Sequence, residues 1–170
     1  MDEAIAKSGA LIEALNYIRQ FRGKIVVVKL GGSLMEARPS QEELLTDVVF
    51  MATVGMQPVL VHGGGKSISA AMKEAGLEPQ FVQGRRYTDE RTLALAEHVL
   101  VNQINRSIVA TINRLGVHAM GLHPLSSCVV FAEQLFLEGP EGRKIDVGLV
   151  GRVTEVNAHF CLLYTSDAAD

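Results

Sequence analysis

Cysteine is scarce. The 170 residues hold two, Cys128 and Cys161, without CxxC or Cys/His spacing, so neither a disulfide framework nor a zinc site is indicated, and a reducing cytosol fits best. Long apolar runs are missing as well. Ile25–Val28 and Pro58–Val61 fall far short of the roughly 20 residues that cross a bilayer, and Asp2, Glu3 and Glu13 stand where a signal peptide would be apolar. No membrane partner is expected. Excess charge is lacking too, with 16 basic against 19 acidic residues for a net −3, which argues against a nucleic-acid partner. There is no internal repeat and no low-complexity linker. What remains, 48% hydrophobic and 21% charged residues, describes a soluble globular chain with a real core. It is too short for a two-domain enzyme of the nucleotide-plus-substrate kind.

Apolar residues Ile5, Leu11, Ile12, Leu15 and Ile18 recur at three- and four-residue steps, predicting an amphipathic helix over residues 1–22 that Gly23 ends. This helix suits a partner as well as its own domain. Lys24–Leu30 is short and β-branched, hence a buried strand, closed by Gly31-Gly32. Pro39 and Ser40 open a helix with Leu44, Leu45, Val48, Val49 and Met51 inward. A second buried strand, Pro58–His62, runs into Gly63-Gly64-Gly65, and Lys66–Ala75 is helical, with Ile68, Ala71 and Met72 inward and Gly76 as the stop. Residues 77–88 read as an ordered loop. Asp89 then caps a long helix reaching about Leu115, Val117–Leu122 reads as an interior strand, and Cys128–Ala132 with Val147–Val156 read as β-ribbons around a turn at 138–142. Asn157 starts a further helix, but Leu162–Asp170 fits neither helix nor strand, and the tail 162–170 is read as foreign to the fold. This rhythm predicts an α/β class, a mainly parallel sheet sandwiched by helices with a peripheral β-hairpin, and residues 23–161 as one lobe.

In such a sheet, ligands belong at the carboxyl ends of the strands. Glycine there permits positive φ and lets bare N–H groups approach an anion, and the second glycine loop adds the positive end of a helix. Tight turns alone would use the same glycines. Gly65-Lys66-Ser67 imitates the end of a P-loop, but Leu60 stands where its first glycine belongs; a dinucleotide fingerprint fails likewise at Ile68. Lys29 sits inside a Val/Ile run, where burial is costly unless its amine meets an anion, and could offset charge on a transferring phosphoryl group; a strand-edge lysine can also snorkel to water. Arg86 in a polar loop could hold a carboxylate through its guanidinium fork, whereas neighbouring Arg85 reads as surface. His62 more plausibly bonds the loop backbone than acts as a base, His98, His118, His123 and His159 have no ligand spacing, and no metal site is indicated. Asn102 and Asn105, at i and i+3 on the long helix, face either the cleft or solvent.

Taken together, Lys29-Leu-Gly-Gly-Ser33, Val61-His-Gly-Gly-Gly65, Gly84-Arg-Arg-Tyr-Thr-Asp89 and Asp146-Val-Gly-Leu-Val-Gly151 resemble the amino-acid kinase family, in the branch that phosphorylates N-acetyl-L-glutamate in arginine biosynthesis. The resemblance runs from about residue 10 to residue 160. It implies that Lys29 stabilises the transferring phosphoryl group, that Gly31, Gly32 and Gly63 approach the phosphates, that Gly64 and Gly65 bind the substrate, and that Arg86 grips its α-carboxylate. It also implies ATP with Mg2+ as co-substrate, bound mostly by a second lobe that should follow residue 160. A helix like the first one accompanies hexamers inhibited by L-arginine in this family. The polypeptide 1–170 is therefore expected to be the substrate-binding lobe, inactive alone. The competing expectation is a non-catalytic regulatory domain of the same fold, as in acetylglutamate synthases, with kinases acting on other carboxylates or on nucleotides further behind.

Overall fold

The computed structural model describes residues 2–31, 38–125 and 127–163. Helix α1 (Asp2–Phe21) leads into β1 (Ile25–Leu30) through Gly23, whose φ of 70° and N–H bond to the Gly55 carbonyl at 2.7 Å make the corner. Helix α2 (Arg38–Thr53) connects β1 to β2 (Gln57–His62), and the two strands pair in parallel from Ile25 opposite Gln57 to Leu30 opposite His62. Helix α3 (Gly65–Glu74) follows immediately. The two parallel strands and the crossover helix between them bear out the α/β reading.

One face of this sheet carries the core. Leu30 meets Leu45 of α2, Ile68 and Met72 of α3, and Val99, Ile104, Ile108 and Ile112 of the long helical stretch described below. The inward set predicted for α2 is confirmed at Leu45 and Val48, both buried. Burying such a side chain contributes about 1.5–3 kcal/mol each, which fixes the helices over one side of the strands. The other side is open. Along β1 exposure alternates, and Ile25, Val27 and Lys29 face outward, Val27 at 66% exposure. The expectation of a strand buried on both faces is thus corrected: only one face is covered by the described residues.

Residues 77–88, expected as a loop, contain a two-residue ribbon, β3 (Phe81–Val82) and β4 (Arg85–Arg86), antiparallel around Gln83-Gly84. Both turn residues have positive φ, the conformation a tight hairpin needs. Asp89 then caps α4 (Glu90–Glu97), its carboxylate accepting the Thr92 N–H at 2.8 Å. That backbone bond holds the Asp89 pKa below its ordinary value. A folded-state pKa lowered in this way means the cap is fully present at neutral pH and is lost only as acid protonates the carboxylate.

The predicted long helix is continuous but changes gauge. Between α4 and α5 (Arg106–Arg114) lies a π-helical segment, His98–Asn105. Val117–Leu122 is not a strand, which corrects the sequence reading. Its backbone is diverted to side chains of the long helix: the Ala119 N–H donates to Asn113 Oδ1 at 2.8 Å, and Gly121 abuts Asn105.

The peripheral hairpin is longer than expected, β5 (Val130–Glu138) pairing antiparallel with β6 (Lys144–Val156). It docks at two points: the Gln83 side-chain amide donates to the Glu138 carbonyl at 2.9 Å, and Thr88 pairs with the stretch around Gly148. The Thr88 N–H donates to the Val147 carbonyl at 3.1 Å, the Leu149 N–H donates to the Thr88 carbonyl at 2.6 Å, and Gly148 between them, at φ 76°, lies against the Thr88 carbonyl with no room for a Cβ. Gly148→Ala combines a left-handed backbone with that clash and is expected to cost about 2 kcal/mol or more. Denaturant unfolding measures the loss, and faster hydrogen exchange at the Leu149 and Thr88 amides would localise it.

Asn157 caps α6 (Ala158–Leu163) through the Phe160 N–H at 3.0 Å, so Leu162 and Leu163, read as the start of a non-helical tail, instead continue this helix. Gly32 and the tail from 164 lie outside the described residues, as do the side chains of Ile5 and Leu11. On α1, Ile12, Leu15, Tyr17 and Phe21 are exposed, so these four are not spent on packing against the described residues. Among the described residues no helix is long and apolar enough to cross a membrane.

Candidate functional site

The site forms where β2 hands over to α3. Gly63 and Gly65 are exposed, and a Cβ added to either, or to Gly31 at the end of β1, would meet nothing within 4 Å. None of Gly31, Gly63, Gly64 and Gly65 has a left-handed φ, so a left-handed turn does not explain these glycines. At Gly31, Gly63 and Gly65 the bare backbone leaves main-chain N–H groups approachable by a ligand oxygen. Gly64 differs from its neighbours. Its φ of 178° is ordinary extended backbone, but a Cβ would come within 2.6 Å of Leu100 and 2.9 Å of Ile104. Gly64 therefore lets the π-helical segment press against the loop. No side chain caps α3 at Gly64, which leaves the helix's positive end open to an anion.

Arg86 reaches this helix end from β4. Its Nη2 donates to the Gly65 carbonyl at 2.9 Å and to Ser69 Oγ at 2.8 Å, Nη1 contacts Met72 Sδ at 3.0 Å, and the guanidinium stands 4.8 Å from the Phe81 ring centroid. Ser69 Oγ itself donates to the Gly65 carbonyl at 3.0 Å, so the hydroxyl relays between arginine and loop. Burial lowers the Arg86 pKa, yet a guanidinium stays charged at neutral pH. Among the described residues both Nη2 hydrogens and one on Nη1 are engaged, which leaves Nε–H and a second Nη1–H to donate singly to a carboxylate. Gly65, Lys66, Ser69, Lys73, Phe81 and Arg86 border a cleft of about 510 Å³. Lys66, Lys73 and Arg86 make it cationic, as an acidic small molecule requires.

Lys29 stands apart from that cleft. Its Cα is opposite Val61, two residues before Gly63, and adjacent strands lie about 4.8 Å apart. The side chain is exposed and makes no hydrogen bond or ion pair among the described residues. The argument from costly burial therefore does not apply to it; an exposed ammonium with no partner among the described residues stands on the strand next to the glycine loop. Gly63, Gly64, Gly65 and Arg86 are brought together, and Lys29 with Gly31 flanks them on the next strand.

Sequence reasoning gave His62 a bond to the loop backbone and left Asn102 and Asn105 open between cleft and solvent. His62 Nδ1 lies 3.1 Å from the Gly63 carbonyl, the backbone role anticipated for it. Asn105 faces inward, with Nδ2 3.5 Å from His62 Nε2, and lines a second, mainly apolar cavity of about 280 Å³ behind the loop. Asn102 instead stays on the exposed side with His98. Among the described residues no group of three His, Cys, Asp or Glu side chains gathers to hold a metal ion.

Gly64→Ala is expected to cost about 1–3 kcal/mol through overpacking. Because the clash is with flexible side-chain ends, adding Leu100→Ala should restore part of it, and a double-mutant cycle in urea measures the coupling.

A parallel βαβ unit whose second strand runs through three glycines into the next helix places the chain among the α/β folds. Residues 24–163 match the amino acid kinase family, and the chain belongs to it. Within that family it is similar to the acetylglutamate kinase of Halothermothrix orenii, 42% identical over 162 residues covering 95% of this chain and 55% of the relative. The acetylglutamate kinase of Syntrophobacter fumaroxidans is 44% identical over 158 residues, covering 90% and 53%. The chain spans about half the length of the curated relatives it matches. Among solved structures, the N-acetylglutamate synthase of Neisseria gonorrhoeae complexed with coenzyme A and N-acetyl-glutamate superposes with a TM-score of 0.75 at 22% identity, covering 93% of this chain and 35% of that one. The protein smu.665 of Streptococcus mutans UA159 does so at 0.68 and 26%, covering 83% and 54%. At that identity the synthase speaks for the fold alone.

Proposed function

We propose that residues 23–161 are the substrate-binding lobe of an acetylglutamate kinase, which transfers the γ-phosphoryl group of ATP to the side-chain carboxylate of N-acetyl-L-glutamate. The observation that carries this reading is Arg86, a charged guanidinium tied to the opening turn of α3 with donors to spare, beside the bare backbone of Gly63–Gly65. The kinase relatives at 42–44% identity supply the substrate.

In this reading Arg86 takes the α-carboxylate, and Gly64 and Gly65 line the body of the substrate. An oxygen of the ionised side-chain carboxylate then attacks the γ-phosphorus, the bond to the β-phosphate oxygen breaks, and ADP leaves with the electron pair. No proton moves, because a glutamate-type carboxyl with an ordinary pKa of about 4.3 is already ionised at neutral pH. That accounts for a site without a general base. The difficulty is repulsion between two anions. Lys29 neutralises charge on the transferring group, and the N–H groups at Gly31, Gly32 and Gly63 receive phosphate oxygens. The residues that fit phosphate stop there: among the described residues no group of three His, Cys, Asp or Glu side chains gathers to hold magnesium. ATP's remaining contacts belong to the half of the relatives' length that this chain does not span. The exposed apolar residues of α1 support self-association, with L-arginine as the regulator the relatedness points to.

Acyl-phosphate trapping with hydroxylamine tests the assignment. A full-length protein carrying this sequence should give ATP-dependent hydroxamate with N-acetyl-L-glutamate and much less with glutamate or aspartate. No hydroxamate, with N-acetyl-L-glutamate or L-arginine still bound, would favour the regulatory-domain reading. The polypeptide 1–170 alone should show less than about 1% of that turnover, since removing positioning and charge stabilisation of one reactant forfeits orders of magnitude.

A further inference from the structure

The π-helical segment His98–Asn105 is the least common backbone in the molecule, and such segments concentrate at functional sites. Here it does two things to the glycine loop. Leu100 and Ile104 press on Gly64, and Asn105 extends its amide to His62. His62 in turn meets the Gly63 carbonyl through Nδ1 at 3.1 Å. A carbonyl only accepts, so Nδ1 carries the proton; Nε2 is then an acceptor, and the group facing it is the Asn105 amide nitrogen, a donor. The other end of the amide is constrained as well. Asn105 Oδ1 packs on Gly121 so closely that any side chain at position 121 would displace it.

We propose that Asn105 is a positioning residue for the proposed kinase site: it holds His62 in the Nδ1–H tautomer, and that N–H fixes the Gly63 carbonyl and with it the direction of the loop N–H groups offered to the substrate. The inference rests on the reading of Gly63–Gly65 as substrate-binding backbone. Gly121 completes the arrangement by leaving space for the amide. Asn105 touches neither reactant, so its effect is indirect, of the size typical for residues that orient a ligand-binding group, about 10- to 100-fold.

Imidazole tautomers are read directly from nitrogen chemical shifts, without any turnover. The full-length protein should show His62 as the Nδ1–H tautomer at neutral pH, and Asn105→Leu should convert it to a mixture while raising the KM for N-acetyl-L-glutamate about tenfold or more. Asn105→Asp provides an independent arm. With asparagine, protonating His62 sets donor against donor, so substrate affinity should fall on acidification. With aspartate, the doubly protonated ring satisfies both the carboxylate and the Gly63 carbonyl, so affinity should fall on alkalinisation instead. Glu97 and His123 line the same cavity from the end of α4 and from the loop after α5; they are common to both proteins and leave that reversal of sign intact. Gly121→Ala, which displaces the amide without changing it, should reproduce the Asn105→Leu phenotype, and serves if Asn105→Leu does not fold. An Nε2–H tautomer in the wild type, or pH dependences of the same sign in wild type and Asn105→Asp, would overturn the proposal. Absence of N-acetyl-L-glutamate binding in a wild type that shows the Nδ1–H tautomer would instead overturn the functional reading.

Discussion

Lys29→Ala, in a full-length protein carrying this sequence, should lower kcat for acyl-phosphate formation by about 10² to 10³ and leave the KM for N-acetyl-L-glutamate within about threefold, the signature of a donor used in the transition state. The argument starts from exposure. A lysine exposed at the carboxyl end of β1, opposite Val61 and without a partner among the described residues, adds little to their packing, so its removal should not unfold the protein. Its flexible stem lets the ammonium follow charge that moves from the γ-phosphoryl group toward the leaving ADP. Lys29→Arg keeps the charge but spreads it over a planar fork, and should recover only part of the rate. Rapid-quench measurement of the first turnover separates the chemical step from product release. An unchanged kcat with a raised KM for ATP would make Lys29 a ground-state binder instead.

How far the residues announced this arrangement depends on the range of the contacts involved. Strand, glycine loop and helix were readable because each is local: the β-branched run before Gly31, the cap at Asp89 and the stop at Gly76 act within a few residues. The grouping of Gly63–Gly65 with Arg86 was readable through resemblance and is consistent with the contacts made. What escaped is non-local. The space that requires glycine at position 64 is filled by Leu100 and Ile104, some forty residues away, and the space at 121 by Asn105. The π-helical gauge of 98–105 was hidden because its apolar residues also satisfy a 3.6-residue repeat. Val117–Leu122 has strand composition but no strand beside it, and its Ala119 amide goes to Asn113 instead. Lys29 was judged by its neighbours in sequence, when its exposure is set by what covers the sheet.

Arg86 carries two burdens, and separating them is the sharper test of the site. Arg86→Ala removes the proposed carboxylate partner and also the tie between β4 and α3. Losing one partner of a hydrogen-bonded charge pair costs about 2–5 kcal/mol in binding, so KM for N-acetyl-L-glutamate should rise by at least about 30-fold. The stability loss should be smaller, near 1 kcal/mol, because the side chain is only partly buried and its bonds to Gly65 and Ser69 are screened by water. Ser69→Ala isolates the tie: it deletes one bond to the guanidinium while leaving the charge, and should lower stability slightly with KM nearly unchanged. Arg86→Lys does the converse, keeping the charge while losing the planar guanidinium that can bond Gly65, Ser69 and a carboxylate at once, and should raise KM about tenfold or more. Isothermal titration with N-acetyl-L-glutamate and with its α-amide resolves the remaining ambiguity. The wild type should discriminate strongly against the amide, and Arg86→Ala should bind the two about equally. Equal discrimination in both proteins would mean that the carboxylate is held elsewhere, and that Arg86 serves the fold alone.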